Sequence, residues 1–333
     1  MSDRPAPRVV GLGEALVRLS PPGHERLEQA HALQVHVGGA ELNALIATAA
    51  LGLRATWLTR LADNPLGRRI AAHAAMHGVD AVVDWDAGAR APLYFVEHGA
   101  PLRPTEVLYD RSATAMTALA SGSFDWAAQL SGADAALCSG ITCALGERPA
   151  AAVRALFDQA RRTGVQTVFD VNHRSRMWTW SQAAPVLRDV LEHVDVLLAS
   201  GHDLARLLGS DAGDEEDVEL ARRAIDGFGH AVVVLRDSVR TAEGRVAVTA
   251  TAVTAGGEHA SARHEAGVVD AFGAGDAALG AFLAGLLTHG DLSRAIDDAA
   301  WACALQHTIP GDAWQLRPSD LALRLEATRS ILR

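Results

Sequence analysis

The stretch VVDAFGAGDAALGAFLAGLL, residues 268–287, decides the fold. From Ala277 onward, large apolar residues recur at helical spacing with glycine and alanine between them: Leu279, Phe282, Leu283, Leu286 and Leu287. This pattern predicts a buried helix that begins at or just before Asp276. Gly273 and Gly275 allow the backbone to turn sharply and to approach a bound group closely. Because the first amides of a helix have no intrahelical partner, the segment predicts an anion-binding turn.

Asp276, directly after this turn, has two interpretations. A lone Gly-x-Gly-Asp before a helix usually supplies an ordinary N-cap carboxylate. Two features argue against that here: a second acid, Asp270, opens the run after the strand-like pair Val268–Val269, and Leu279 stands where a capping box would need Glu or Gln. If a phosphate occupies the free amides, the carboxylate can accept the proton of an attacking hydroxyl. At a helix N-terminus its charged form is favoured, so we expect Asp276 to be ionised at neutral pH.

Composition narrows the class of protein. The chain has 333 residues, of which 49% are hydrophobic and 21% charged, enough for one large α/β domain or a large domain with an appendage. A net charge of −10 without long charged runs argues against nucleic-acid binding and polybasic membrane attachment. The longest apolar helical run, residues 277–287, is too short to span a bilayer. Three cysteines, Cys138, Cys143 and Cys303, predict no disulfide framework and favour a cytoplasmic location.

Strand-like segments alternate with helical ones along most of the chain. Strands are predicted over residues 8–11, 55–61, 135–139, 166–171, 194–199 and 231–235. Helices are predicted over residues 40–51, 66–77, 150–162, 181–193, 204–208, 217–228, 277–287, 292–307 and 319–325. Apolar strands separated by helices predict a mostly parallel central sheet covered by helices on both faces.

Two regions, about residues 15–37 and 90–112, break this rhythm. The first carries Pro21-Pro22-Gly23 and then an alternating segment, and the second contains two extended pieces around Gly99-Ala100-Pro101. The pieces could pair as a small antiparallel sheet that covers the main domain as a lid, or they could be separate surface hairpins. Unpaired edges of a lid sheet would also allow a homodimer through the lid.

Nucleotide-binding motifs of the common kinds are missing from the sequence. There is no Gly-x-x-x-x-Gly-Lys-Ser/Thr, and Gly11-Leu12-Gly13 lacks the third glycine of a dinucleotide fingerprint, which argues against a dehydrogenase. A second glycine turn, Gly38-Gly39, also opens a predicted helix. These glycines would let a small ligand lie against the backbone, while Asn43 would either reach that ligand or cap the turn.

Together these residues resemble the ribokinase-like (PfkB) family of sugar kinases, from Gly11 to about Leu321. The resemblance rests on the signature Asp270-Ala-Phe-Gly-Ala-Gly-Asp276 and on the glycine pair followed by Asn43. Within the family the chain is most similar to 2-keto-3-deoxygluconate kinases, in the stretches GEALVRLSPPG from Gly13, VGGAELNALIA from Val37, YDRSATA from Tyr109, SGIT from Ser139 and DVNHRSRMW from Asp170. The resemblance implies a single ribokinase-like domain over residues 1–333. This domain would be a three-layer α/β/α sandwich with an inserted β-sheet lid.

The resemblance also implies roles for individual residues. Asp276 would take the proton of the sugar hydroxyl, and the amides of Gly273, Ala274 and Gly275 would form the anion hole for the γ-phosphate of MgATP. The acid sugar would lie against Gly38, Gly39 and Asn43 and meet four lid and strand side chains: Tyr94, Tyr109, Arg111 and Arg174. Arginine suits a substrate carboxylate because it can donate parallel hydrogen bonds to both carboxylate oxygens.

Each of these side chains also has a purely structural interpretation. Arg174 could form an ion pair with Asp170, and Arg111 could form a surface ion pair that contributes little to stability. Tyr94 and Tyr109, the only two tyrosines, could pack within the hairpins.

The sequence departs from the family pattern in three places. Where many relatives have Asn-x-x-Glu near the metal and phosphates, this chain has Ser200-Gly201-His202-Asp203, so Asp203 is the one candidate for Mg²⁺. Where a Gly-x-x-Gly loop usually faces the nucleotide, it has Asp237-Ser238-Val239-Arg240 after Arg236. Ser200, Asp203, Arg236 and Asp237 are accordingly predicted to line the nucleotide site with Gly273 and Gly275. Ala271 replaces a common threonine, so a monovalent cation site is possible but has no support from this segment.

Three functions remain open on this basis. The first is an active 2-keto-3-deoxygluconate kinase that phosphorylates the terminal hydroxyl. The second is a kinase of a neutral sugar such as fructose or ribose, which would give the arginines no carboxylate to meet. The third is a sugar-binding protein of the same fold without turnover, which the altered nucleotide loops favour and the intact Gly-Ala-Gly-Asp opposes.

Overall fold

A computed structural model describes residues 5–100, 102–210, 213, 215–315 and 317–322. Its strands are β1 (Arg8–Leu12), β2 (Leu16–Ser20), β3 (Gln34–Gly38), β4 (Arg54–Ala62), β5 (Val79–Asp86), β6 (Leu93–Glu97), β7 (Glu106–Asp110), β8 (Ala135–Ser139), β9 (Gln166–Asp170), β10 (Val196–Ala199), β11 (Val232–Arg240), β12 (Val246–Thr254), β13 (Gly257–Ala260) and β14 (His264–Ala266).

The helices are α1 (Ala40–Ala50), α2 (Pro65–Met76), α3 (Trp126–Leu130), α4 (Gly140–Cys143), α5 (Glu147–Thr163), α6 (Trp180–Leu191), α7 (Gly201–Leu208), α8 (Asp217–Phe228), α9 (Ala274–His289), α10 (Leu292–Gln306) and α11 (Pro318–Ala322). A single 3-10 turn covers Ala115–Ala118. No helix in the described part of the chain is both long and apolar enough to cross a membrane.

The central sheet has the strand order β13-β12-β11-β10-β9-β8-β1-β4-β5, and β14 pairs with β12. The seven strands from β11 to β5 run parallel, whereas β12 pairs antiparallel with each of its neighbours. Alternate residues of a strand enter different cores: Val9 packs among α1, α9 and α10, and Val10 packs among α5, α6 and α8. The predicted three-layer α/β/α arrangement is therefore confirmed.

Most predicted elements are confirmed to within a few residues, but several were missed. The last predicted helix, residues 319–325, corresponds to α11, and its final residues lie outside the described part of the chain. Strand β5 and the antiparallel margin β12–β14 were not predicted. The expectation that Val268–Val269 end a strand was wrong, because β14 has already ended and the Val269 amide bonds instead to the carbonyl of His307.

Helices α1 and α9 lie in unusually close contact, and this contact positions the site. A Cβ on Gly280 would lie 2.5 Å from the Ala44 carbonyl oxygen and from Ala47 Cβ. Only glycine therefore fits at that point of α9. The close approach brings the first turn of α1, with Asn43, beside the first turn of α9, with Asp276.

The two irregular regions form one four-stranded sheet of order β3-β2-β6-β7, as the lid interpretation predicted. Each hairpin is antiparallel, but β2 and β6, which join the hairpins, run parallel, so the sheet is not antiparallel throughout. Leu16, Tyr94 and Val96 of this sheet pack with Phe272 of the signature segment. The lid is thus fixed against the main domain. Its edge strands are β3 and β7, and the homodimer through the lid stays a prediction.

Candidate active site

The site is built on the N-terminus of α9, at the carboxyl ends of the parallel strands. Gly273 is the N-cap residue, with a φ of 75°, and a Cβ there would overlap the carbonyl oxygen of Asp312. Both the left-handed backbone and the crowding require glycine. The cap has no side-chain hydrogen bond, so the first amides of the helix are not capped by a side chain. Asp276 is the third helical residue, and the N-cap interpretation of it was wrong.

Asp276 is held by a residue from the other glycine turn. Asn43 Nδ2 donates a 2.8 Å hydrogen bond to Asp276 Oδ2, so Asn43 does not cap its own helix. Burial raises the pKa of Asp276 to about 7, while the Asn43 hydrogen bond and Arg174 act in the opposite direction. Our expectation of full ionisation at neutral pH was wrong, because loss of solvent outweighs the helix N-terminus. A carboxylate with a pKa near 7 is well matched to proton transfer at neutral pH.

Asp276 lies between two adjoining cavities. The larger cavity, of about 640 Å³, is lined by the residues predicted to contact the nucleotide, namely Ser200, Asp203, Arg236, Asp237, Gly273, Ala274 and Gly275. The smaller, of about 90 Å³, contains those predicted for the sugar, namely Gly38, Gly39, Asn43, Tyr94, Tyr109, Arg111 and Arg174. Asp276 lines both cavities, together with Gly273 and Arg174. The structure therefore brings the predicted residues together around one carboxylate.

The two arginines of the smaller cavity have different surroundings. Arg174 is exposed, and its side chain has no ion pair with any described residue. The predicted alternative, a pair with Asp170, is wrong because Asp170 is bound by Arg236 instead. Arg111 pairs with Glu14, whose side chain is 1% exposed, while that of Arg111 is 12% exposed, so this pair is buried and not a surface pair. Arg174 is consequently the more available cation for a ligand.

The tyrosines and the glycine pair also line the smaller cavity. The rings of Tyr94 and Tyr109 stack with their centroids 5.9 Å apart. Tyr94 Oη donates to Asp312 Oδ2 over 2.8 Å, and a Cβ on Gly38 would overlap that hydroxyl. A Cβ on Gly39 would overlap the carbonyl oxygen of Glu14. Both glycines are thus required by packing within the protein, whether or not a ligand also lies against them.

Arg236, in the larger cavity, is held by three hydrogen bonds. Its Nη2 donates to both carboxylate oxygens of Asp170 over 2.8 and 2.7 Å, and its Nη1 donates to the carbonyl oxygen of Gly275 over 2.8 Å. The guanidinium therefore lies at the first turn of α9, where the helix already carries partial positive charge. Strand β11 thus brings a fixed cation to the first turn of α9, and residues 237–240, which stand where relatives have a glycine loop, continue that strand.

Ser200 and Asp203 have distinct roles at the edge of this cavity. Ser200 Oγ caps α7 by accepting from the Asp203 amide over 3.1 Å. Burial raises the pKa of Asp203, and the neighbouring Asp170 acts in the same direction. Within the described ranges, no group of three His, Cys, Asp or Glu side chains is arranged to hold a metal ion. Asp203 offers one hard carboxylate ligand, which suits Mg²⁺ carried mainly by phosphate oxygens.

Four residues that sequence reasoning did not place belong to the site: Glu14, Arg18, Asp170 and Asp312. Glu14 holds Arg111 and accepts from Thr114 Oγ1 over 2.8 Å. Arg18, 1% exposed, binds Asp270 over 2.8 Å and Asp312 over 3.2 Å. Local sequence pattern cannot predict that an arginine on a lid strand is buried. The acidic Asp270 of the signature was the one signal, because a buried carboxylate needs a cation partner.

The sequence and the fold are similar to those of known carbohydrate kinases. The model of the pfkB family carbohydrate kinases matches residues 6–314. A 2-dehydro-3-deoxygalactonokinase of Haloferax volcanii is 36% identical over 94% of this chain and 95% of its own length. A 2-dehydro-3-deoxygluconokinase of Thermoproteus tenax is 33% identical over 91% of this chain and 89% of its own length.

Among solved structures, 2-dehydro-3-deoxygluconokinase from Thermotoga maritima superposes with a TM-score of 0.90 and 34% identity, covering 95% of this chain and 97% of that one. The family match covers both the lid and the signature at α9, and the relatives match nearly end to end. Because the family model covers most of the chain and these relatives exceed 30% identity, the chain belongs to the pfkB family of carbohydrate kinases.

Proposed function

We propose that this kinase transfers the γ-phosphoryl group of ATP to the terminal hydroxyl of 2-keto-3-deoxygluconate or of a close keto-deoxy sugar acid. The observation that carries the proposal is the position of Asp276, which lines two cavities. The larger cavity contains Arg236 and the first turn of α9, which suit a polyanion, and the smaller contains Arg174, which forms no ion pair with a described residue. A carboxylate that lines both cavities can contact an acceptor hydroxyl on one side while a phosphate occupies the helix amides on the other.

The proposed reaction is an in-line displacement. The oxygen of the terminal hydroxyl forms a bond to the γ-phosphorus, the bond from that phosphorus to the β–γ bridging oxygen breaks, and ADP leaves with the electron pair. Asp276 accepts the hydroxyl proton, and its pKa of about 7 allows it to be ionised before the transfer and to release the proton afterwards.

Charge on the transferring group would be stabilised from two directions. The uncapped first turn of α9 lines the larger cavity, and Arg236 is fixed beside it by Asp170 and the Gly275 carbonyl. Mg²⁺ bound with ATP would neutralise charge on the phosphates, with Asp203 as its candidate protein ligand. Arg236, as a permanent cation, would take over part of the work that the missing glycine loop and Asn-x-x-Glu perform elsewhere.

The choice of an acidic sugar rests on Arg174. Arg174 lines both cavities and acts on Asp276 only through space, without a direct ion pair to any described residue, whereas Arg111 is paired with Glu14. A substrate carboxylate would give Arg174 a direct ion pair with two parallel hydrogen bonds. The relatives named above act, by their names, on keto-deoxy sugar acids, which supports the same class here.

The test is ADP release with MgATP and a panel of sugars: 2-keto-3-deoxygluconate, 2-keto-3-deoxygalactonate, fructose and ribose. We expect turnover only with the keto-deoxy acids, and a loss of about 10²- to 10⁴-fold in kcat for Asp276→Asn. Asp226→Asn, an exposed acid on α8, is the matched control and should keep wild-type activity.

Three other results would each reject part of the proposal. Turnover of a neutral sugar would discard the substrate class and keep the kinase. Wild-type activity in Asp276→Asn would discard the base. Calorimetric sugar binding without any ADP release would identify a sugar-binding protein that has lost turnover.

A further inference from the structure

Glu41 is a buried acid that joins the first turn of α1 to the turn after β8. It is 1% exposed. Its Oε1 accepts from Ser139 Oγ over 2.6 Å and from Thr142 Oγ1 over 2.7 Å. Asn43, which holds Asp276, lies two residues further along α1. Glu41 therefore fixes the turn after β8 against the part of α1 that supports the base.

The bond to Ser139 continues to the smaller cavity. A hydroxyl has one proton, and that of Ser139 is donated to Glu41, so the Ser139 oxygen accepts from the Ile141 amide over 3.2 Å. Ile141 lines the smaller cavity and not the larger one. The Thr142 hydroxyl bonds the same oxygen of Glu41, but it bonds no residue of the smaller cavity in the described part of the chain. Only the bond through Ser139 thus leads from Glu41 toward the sugar.

The two oxygens of Glu41 have unequal surroundings, which favours the uncharged form. Two hydroxyls converge on Oε1, as they can on a carbonyl oxygen with two lone pairs. Oε2 has no hydrogen-bond partner among the described residues and packs on Gly13, where a Cβ would lie 2.3 Å from it. An ionised carboxylate would leave part of a buried charge on this unpartnered oxygen, which is costly.

The titratable groups around Glu41 supply no counter-charge. Cys138 Sγ of β8 lies 3.9 Å from Glu41 Oε1, and Cys143 lies on α4. Burial raises the pKa of both thiols, so they stay uncharged. At the end of β1, Glu14 is paired with Arg111. Burial also raises the pKa of Glu41, while the two hydroxyls on Oε1 act in the opposite direction.

We infer that Glu41 is a positioning residue of the sugar site and acts as a neutral carboxylic acid: it orients the Ser139 hydroxyl, which fixes Ile141 at the smaller cavity. Glu41 itself lines neither cavity, so its effect on the substrate passes through Ser139. The inference rests on the proposed function and deepens it. It requires a hydrogen-bond acceptor at Glu41 but no negative charge, and these two requirements can be tested separately.

The positioning path is tested by a matched pair, Ser139→Ala and Thr142→Val. Each variant removes one hydrogen bond to Glu41 Oε1, but only Ser139→Ala also releases the Ile141 amide. Ser139→Ala should raise KM for 2-keto-3-deoxygluconate roughly 5- to 20-fold and leave KM for ATP nearly unchanged. Thr142→Val should change either KM by no more than about twofold. Equal effects of the two variants on the sugar KM, or a parallel rise in both KM values, would overturn the path.

Two substitutions of Glu41 separate the acceptor from the charge. Glu41→Gln keeps a carbonyl oxygen for both hydroxyls, so KM for the sugar should stay within about threefold of the wild-type value. Glu41→Leu leaves both buried hydroxyls without their acceptor and should raise that KM roughly 10-fold or more. A glutamine variant as impaired as the leucine variant would show that the charge is needed and overturn the neutral acid. If Glu41→Leu does not fold, the Ser139→Ala and Thr142→Val pair still decides the path.

Thermal unfolding without substrate tests the charge state by itself. An acid whose pKa is raised in the folded protein stabilises it fully below the usual value of 4.5, and this contribution is lost as pH rises toward the folded pKa. Glutamine has no such proton, so Tm of Glu41→Gln minus Tm of the wild type should increase between pH 5 and pH 8. Glu243→Gln, which replaces an exposed acid between β11 and β12, is the control and should give a constant difference. A constant difference for Glu41→Gln would show an ionised Glu41 and overturn the inference.

Failure of the proposed function would look different from failure of this inference. In the first case the wild type itself would not phosphorylate the sugar acid, whereas the Tm comparison would be unaffected. The contrast between Ser139→Ala and Thr142→Val is then measured on the sugar that the wild type does phosphorylate, or as calorimetric Kd values for a sugar that it only binds. A selective loss in Ser139→Ala would support the positioning path there, and equal losses would overturn it.

Discussion

Asn43 Nδ2 and Asp276 Oδ2 lie 2.8 Å apart, and this hydrogen bond joins the two glycine turns of the site. Asn43 is 4% exposed, and its own Oδ1 has no partner among the described side chains and backbone. The amide is thus committed to the carboxylate through its nitrogen. The bond stabilises the ionised form of Asp276 against the burial that raises its pKa to about 7.

The first prediction concerns the pH profile of the wild-type enzyme. Since Asp276 must be ionised to accept a proton and its pKa is raised to about 7, kcat/KM should rise with pH and level off above about 8. A rate profile between pH 5.5 and 9.5, measured with saturating MgATP, tests this. A profile already flat from pH 5.5 would contradict the assignment of the base or of its environment.

Removing the side-chain amide of Asn43 should shift the pH profile of kcat/KM. In Asn43→Ala, Asp276 loses a hydrogen bond that lowers its pKa, so the rise in kcat/KM should move to higher pH, and activity lost at pH 7 should recover in part at pH 9. Asn64→Ala is the control: Asn64 caps α2 by accepting from the amides of Leu66 and Gly67, each over 3.0 Å. Asn64→Ala should lower the free energy of unfolding by about 1 kcal/mol and leave the pH profile of kcat/KM unchanged. Equal profiles for both variants would show that Asn43 only stabilises the fold.

The two ends of α9 provide a matched pair of glycines. Gly273 at the N-cap and Gly290 at the C-cap have φ angles of 75° and 66°, but only a Cβ on Gly273 would overlap another group, the carbonyl oxygen of Asp312. Gly290→Ala should cost about 1 kcal/mol from backbone strain alone. Gly273→Ala should cost clearly more and also lower kcat, because the anion-binding turn must move. Chemical denaturation and turnover of the two variants give the comparison, and equal stability costs would contradict the packing argument.

Arg236 should matter both for stability and for the nucleotide. Arg236→Gln leaves Asp170, whose side chain is 3% exposed, without its cation, which should cost about 3 kcal/mol. It should also raise KM for ATP more than KM for the sugar, since Arg236 lies in the larger cavity only. Arg223→Gln, which breaks the more exposed pair with Glu215, is the control and should cost no more than about 1 kcal/mol. A rise in the sugar KM alone would place Arg236 outside the nucleotide site.

The two arginines of the smaller cavity should behave differently. Arg174→Gln should raise KM for a keto-deoxy acid roughly 10- to 100-fold with little loss of stability, because the charged contact is made only with the ligand. Arg111→Gln should instead lower the free energy of unfolding by about 3 kcal/mol, because it leaves the buried Glu14 without its ion pair. Arg148→Gln, an exposed residue on α5, is the neutral control. Unchanged KM in Arg174→Gln would reject the carboxylate contact.

Local pattern was sufficient for much of the architecture. The start of α9, the uncapped glycine turn before it and the apolar strands of the parallel sheet follow from periodicity and backbone preference within about twenty residues. Strands β12 to β14 were missed because they form an antiparallel margin in which small, threonine-rich and polar residues replace the apolar run of a doubly covered strand. The parallel β2–β6 pairing joins two hairpins that are distant in the chain, so no turn sequence encodes it.

The sequence by itself determined the three-layer fold, the turn at Gly273 and the aspartate that follows it, since each depends on neighbours along the chain. Only the tertiary structure decided which side chains meet that aspartate and with what charge. Asn43 reaches Asp276 across 233 positions and Arg236 reaches Asp170 across 66. Burial raised the pKa of Asp276 where local reasoning from the helix end predicted the opposite. The physical reason is that desolvation and buried pairing depend on all the atoms packed around a group, most of which come from distant parts of the sequence.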